Sequence, residues 1–264
     1  MTSAMSDIPS PTSKQAQEAR RKSLEEAMAL QRDGKRDLAM QRYVAILAED
    51  PVNQDALFCV ALVALQEGQL AEGIKVIERA LAVGPPQARM HNLMGQAYLR
   101  LNQDDDALKA FDRAIECEPR FADAYGNRAN LLADMGQLEE AVAAFNRALE
   151  VRPDNAEDLC NRGTVLADLG HHGEALADYE RALMLMPDLA PAHFNRADIL
   201  LRLGRNAQAL ASYDQAIALQ PKFADAYANR GSVLKAMGRD AEARASFERA
   251  AALDPTFQRL LEKD

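Results

Sequence analysis

The chain has 264 residues, 48% of them apolar and 5% aromatic, with no tryptophan and a formal net charge of −9. That acidity disfavours general nucleic-acid binding, because the phosphates would be repelled. Cys59, Cys117 and Cys160 are odd in number and lack paired spacing, which points to a reducing, cytoplasmic setting with buried or inert thiols and gives a metal site no support.

Residues 1–19 are polar, with Ser, Thr and two prolines, and read as a disordered leader. They lack the charged start and apolar core of a secretory signal, and no apolar run of about 18 residues predicts a membrane helix. The Arg20-Arg21-Lys22 cluster is followed at once by acidic residues and reads as the solvated face of a first helix.

From residue 20 a period takes over. Pro51, Pro85, Pro119, Pro153, Pro187, Pro221 and Pro255 stand 34 residues apart, which divides the chain into units at about 20–53, 54–87, 88–121, 122–155, 156–189, 190–223 and 224–257. The first two units are degenerate. Ser23 and Glu26 stand at usually apolar places, and Gly73 replaces an alanine, as terminal repeats with one wet face allow. The four units from 122 onward are the most alike.

Each unit holds two apolar stretches of helical spacing. In 122–155, Tyr125, Ala129 and Leu132 make one face, and Leu138, Ala141, Ala144, Phe145 and Ala148 make another. Gly136 between them suits the left-handed backbone of a helix end, and Pro153 closes the second helix. Small residues such as Gly163, Ala175 and Ala182 predict close helix approach. A lone hairpin cannot bury both faces, whereas stacked hairpins can. Residues 258–264 form a short tail, in which Leu260 and Leu261, with Phe257 before them, have the spacing to cover the last hairpin.

The Leu-Gly, Tyr, Ala, Phe and Pro pattern at this period resembles the tetratricopeptide-repeat (TPR) family, over roughly residues 20–257. The resemblance implies an all-α, right-handed superhelical solenoid of about seven TPR hairpins.

A search for chemistry finds no phosphate loop, dinucleotide fingerprint, zinc-protease motif or nucleophile elbow. No catalytic residue, cofactor site or metal site is expected. His171-His172 falls on an inter-helix turn, while His91 and His193 occupy a place filled by Tyr125 and Tyr227 elsewhere and read as packing.

One polar feature recurs. Asn127, Asn161, Asn195 and Asn229 hold the sixth place of four consecutive units. An amide both donates and accepts, so the row is able to grip an extended peptide by its backbone, or to join neighbouring repeats. It resembles the asparagine row in the TPR domain of protein O-GlcNAc transferases. The following residues, Arg128, Arg162, Arg196 and Arg230, depart from the apolar residue common there. They are expected to lie on the helix-packing surface, paired to nearby acids. Asp123, Asp134, Glu157, Asp168 and Asp225 near the row favour a neutral or basic segment. The lysine set with which some TPR co-chaperones hold a chaperone's C-terminal carboxylate has no counterpart.

The expected function is a non-catalytic protein-interaction scaffold that takes a protein or peptide segment in its concave groove, with no nucleic-acid or membrane partner. Two other readings stand beside it. One is the substrate-recruiting part of a glycosyltransferase similar to O-GlcNAc transferase, in cis or in trans. The other is a self-assembling solenoid.

Overall fold

The computed structural model describes residues 11–261, with side chains described from residue 18. Among the described residues are fourteen α-helices, one 3-10 helix and no strand. The chain divides into two compact units between Pro119 and Arg120. The first contains α1 (Pro11–Arg32), α2 (Arg36–Glu49), α3 (Gln54–Gln66), α4 (Leu70–Val83), α5 (Ala88–Arg100) and α6 (Asp104–Cys117). The second contains α7 (Ala122–Asp134), α8 (Leu138–Val151), α9 (Ala156–Asp168), α10 (His172–Leu185), α11 (Ala190–Arg202), α12 (Asn206–Leu219), α13 (Ala224–Ala236) and α14 (Asp240–Leu253).

α1 starts inside the segment expected to be a disordered leader, so that expectation is corrected from Pro11 onward. Proline suits the first helical position, where its missing N–H goes unused, and Lys14, Gln15, Ala16, Gln17, Glu18 and Ala19 are good helix formers. Residues 1–10 lie outside the described residues. At the other end a 3-10 helix, Pro255–Leu260, crosses into the expected tail. Leu260 and Leu261 pack on the core of the second unit. Residues 262–264 lie outside the described residues.

Local chemistry sets the hairpins. α7 ends because Gly136 takes φ 75°, which a side chain would resist. The Gln137 N–H then bonds the Leu132 carbonyl at 2.8 Å, and the Gly136 N–H bonds Ala133 at 2.9 Å. In the third repeat Asn102, at φ 57°, does the same work, since asparagine tolerates this region best after glycine. α8 stops at Val151, with the Arg152 N–H still bonded to Ala148 and Pro153 unable to continue the ladder. Asn155, which takes the place of Phe121, caps α9 by accepting from the Glu157 and Asp158 N–H groups.

In the hairpins of Gly95, Gly163 and Gly231 an aromatic ring of the second helix packs under the glycine of the first, whereas α4 has Ile77 at the aromatic place. Phe145 and Tyr179 are at most 1% exposed, and burying such a ring contributes roughly 2–3 kcal/mol. A Cβ on Gly163 would stand 2.9 Å from the Tyr179 ring, and one on Gly231 would stand 2.5 Å from the Phe247 ring. Gly73 has a different cause: Leu65 fills the space that an alanine methyl would need, at 2.4 Å. In the second unit one continuous cluster of buried residues runs from Leu149 to Phe247. In the first unit, one cluster surrounds Tyr43 and another surrounds Ile77 and Met90.

Candidate functional site: the asparagine row of the second unit

In the second unit, α7 touches α9, α9 touches α11, and α11 touches α13, while the second helices of the hairpins have no comparable mutual contacts. The first helices therefore lie on the inside of the curve of this unit. Each carries its asparagine, half-buried, at the sixth residue.

Three of these asparagines fasten one repeat to the next. Asn161 Nδ2 donates to Asn130 Oδ1 at 3.0 Å, Asn195 Nδ2 to Thr164 Oγ1 at 3.1 Å, and Asn229 Nδ2 to Asp198 Oδ1 at 3.0 Å. The acceptor in each case lies 31 residues earlier, at the ninth place of the preceding unit. Each bond takes one amide hydrogen of the asparagine, and an amide carries a second hydrogen and an acceptor oxygen. Asn127 holds the same place on α7.

The acceptors are themselves held from below. The Tyr179 hydroxyl donates to Thr164 Oγ1 at 3.2 Å, and the Thr164 hydroxyl donates to the Cys160 carbonyl at 3.1 Å. The Tyr213 hydroxyl donates to Asp198 Oδ1. Burial raises the Asp198 pKa above the usual carboxylate value, against the lowering effect of its bonds from Tyr213 and Asn229. Beside this network Thr164, Asp168, Asn195, Asp198 and Arg202 line a small cavity of about 110 Å³.

The arginine row behaves as packing chemistry. Arg162 forks onto both oxygens of Asp178, 2.7 and 2.6 Å away on α10, and reaches Asn146 of α8 at 2.7 Å. Arg230 pairs with Asp214 at 2.6 Å and with Ser246 at 2.7 Å, so it too bridges two second helices. Arg196 meets the hydroxyl of buried Ser212 at 2.8 Å. Of the acids near the row, Asp123 pairs with Arg152 at 2.8 Å, and Asp134, Glu157, Asp168 and Asp225 are exposed.

The ninth-place acceptors were not among the residues expected to matter. Their signal lies in the sequence: Gln96, Asn130, Thr164, Asp198 and Ser232 are all hydrogen-bonding residues at the 34-residue spacing. Of the other candidates, His193 is buried, with Nε2 donating to the Pro187 carbonyl at 2.8 Å. Burial lowers the pKa of His91. Cys59 and Cys160 are buried, and burial raises the Cys160 thiol to about 11. Cys117 is exposed. Among the described residues no three His, Cys, Asp or Glu side chains are placed to share a metal ion, and no helix is long and apolar enough to cross a membrane.

Models of the tetratricopeptide repeat match residues 24–88, 61–125, 122–155, 156–189 and 224–257, and a TPR-repeat model matches 197–238. No curated protein matches the sequence. Among solved structures, the chain is similar to PilF of Pseudomonas aeruginosa, at 19% identity over 80% of this chain and 97% of that one, with a TM-score of 0.71. A tetratricopeptide repeat protein from Parabacteroides merdae aligns over 93% of this chain and 98% of its own, at 19% identity and a TM-score of 0.64. YrrB, described as a TPR protein with an unusual peptide-binding site, aligns over 68% of this chain and 92% of its own, at 24% identity and a TM-score of 0.59. At these identities the likeness is one of fold.

Proposed function

From the premise that the chain belongs to the tetratricopeptide-repeat family, we propose that it is a non-catalytic scaffold whose second unit takes a partner's extended segment on its inner face. Asn127, Asn161, Asn195 and Asn229 are the main-chain contacts. The observation that carries this reading is the placement of the row: four half-exposed amides on successive first helices, one per repeat. Three of them are already oriented by a bond to the repeat before. An amide held on one side is pre-organised on the other, which lowers the ordering cost of binding. The second amide hydrogen and the carbonyl oxygen match a peptide's C=O and N–H. The exposed acids near the row favour neutral or basic segments.

The test is a display library of unstructured peptides selected on the full chain, with the winners titrated against two variants. Asn127, Asn161, Asn195 and Asn229 all changed to Ala should weaken binding at least about thirtyfold, since four hydrogen bonds contribute roughly 0.5–1.5 kcal/mol each. Asn130→Ala with Thr164→Val removes two of the inter-repeat bonds but keeps the amides, and should weaken binding less than the fourfold variant does, because only the pre-organisation of two amides is lost. Wild-type affinity in the fourfold variant, with its helicity intact, refutes the role of the row.

A further inference from the structure

The first unit carries a different site. A cavity of about 530 Å³ lies between α1, the start of α2 and α3. That volume lies within the usual range for ligand clefts. Its walls are apolar: Met28 on α1, with Phe58 and Leu62 one turn apart on α3. Phe58 is held in place by the Arg89 guanidinium, 4.6 Å from its ring centre. Met28 remains 43% exposed, so nothing among the described residues covers this surface.

The polar rim is not symmetric. Arg32 and Arg36 stand at one end, with Gln66. Both arginines are exposed, and neither pairs with a carboxylate among the described residues. Glu25 lines the other end and is already matched by Arg21 at 3.2 Å. In a chain of net charge −9, two unmatched cations beside an uncovered apolar cleft form a local exception that complements an acidic ligand.

We propose that this cleft binds a partner segment with two large apolar side chains followed by acidic residues. The apolar pair fills the Phe58–Met28–Leu62 trough, and the acids meet Arg32 and Arg36. The cleft opens to solvent beside Met28, so an alkyl chain lying in it would keep one side in water. A peptide instead drops alternate side chains into the trough and leaves its backbone solvated. Met28 and Arg32 are one helical turn apart, about 5–6 Å. An extended chain covers that distance in two residues, and alternate residues share a face. The matching pattern is therefore apolar-x-apolar-x-acid-x-acid. The inference rests on the scaffold reading but not on the asparagine row, which belongs to the other unit.

The probe is a fluorescein-labelled peptide, Gly-Ser-Phe-Ser-Leu-Ser-Asp-Ser-Asp-Gly, titrated by fluorescence anisotropy onto the full chain. Two companions replace both Asp by Lys, or Phe and Leu by Ser. The acidic apolar probe should bind about tenfold or more tighter than either companion. Arg32→Glu with Arg36→Glu, on exposed positions that leave the core untouched, should weaken it about tenfold and strengthen the lysine companion. The fourfold asparagine variant should leave it unchanged. Equal binding of the acidic and basic probes overturns the proposal, and so does unchanged affinity after the charge reversal. Binding that survives the charge reversal but is lost in the asparagine variant places the probe on the second unit, which overturns this inference while supporting the other.

Discussion

At Asp198 one carboxylate oxygen accepts both the Tyr213 hydroxyl and the Asn229 amide, and burial still holds its pKa above 3.8. The two bonds therefore only partly offset the cost of keeping the charge out of water. The sign for stability follows from proton counting. Between the unfolded pKa and the raised folded one, the folded chain holds a proton that the unfolded chain has lost. Stability from this residue thus falls as pH rises through that window, and the penalty is fully present above the folded pKa. Thr164 makes the same two contacts, from Tyr179 and Asn195, without a charge. Asp198→Asn keeps an acceptor oxygen for both donors and removes the charge. It should raise the melting temperature at pH 7 by about 2–4 °C, what roughly 1 kcal/mol is worth at this size. The difference between variant and wild type should shrink as pH falls below the folded pKa. A variant less stable than wild type at pH 7 would show that the carboxylate's bonds outweigh its burial.

Between elements, fastening is divided between two rows that the sequence places side by side. The asparagines join a first helix to the first helix before it, and the arginines tie a first helix to second helices. The arginine role was legible because a cation recurring next to a packing face needs a paired acid or hydroxyl, and Asp178, Asp214, Ser212 and Ser246 recur on the second helices. The asparagine role was left open between ligand and neighbour, because a single period does not say which way an amide points. Pairing the sixth place with the ninth place of the previous unit would have narrowed it. The hairpin turns were legible from Gly136 and its counterparts, since only glycine or asparagine sits easily at that φ. The start of α1 was not, because Ser, Thr and Pro in the leader outweighed the helix formers among them. Arg162 shows what the second row contributes. Its side chain is 22% exposed and that of Asp178 is 9% exposed. Arg162→Met should therefore cost about 3 kcal/mol, because a mostly buried carboxylate loses its partner. Adding Asp178→Ala should restore most of that loss. Urea melts of the two variants measure the coupling, and additive losses would contradict it.

Within the second unit neighbouring hairpins pack on one another, α8 on α9, α10 on α11 and α12 on α13, and the bonds between repeats repeat as well. Deleting residues 156–189 in frame tests whether that repetition suffices for folding. The deletion brings α11 against α8 and sets Asn195 31 residues after Asn130 in the shortened chain, in the place Asn161 now holds. Arg196 likewise inherits the position from which Arg162 reaches Asn146. Gly163 and Tyr179 leave together, as do Arg162 and Asp178, so no ring or carboxylate is left without its mate. The new junction thus has the chemistry of an old one, and an array with nearest-neighbour stability should close over it. The shortened chain is expected to keep its helicity per residue and to unfold cooperatively, with stability lower by a few kcal/mol for the lost interface. Circular dichroism with urea titration reads both quantities. Loss of helicity well beyond the deleted hairpin would mean that the repeats depend on contacts longer in range than their neighbours, and the fastening described here would be only part of what holds them.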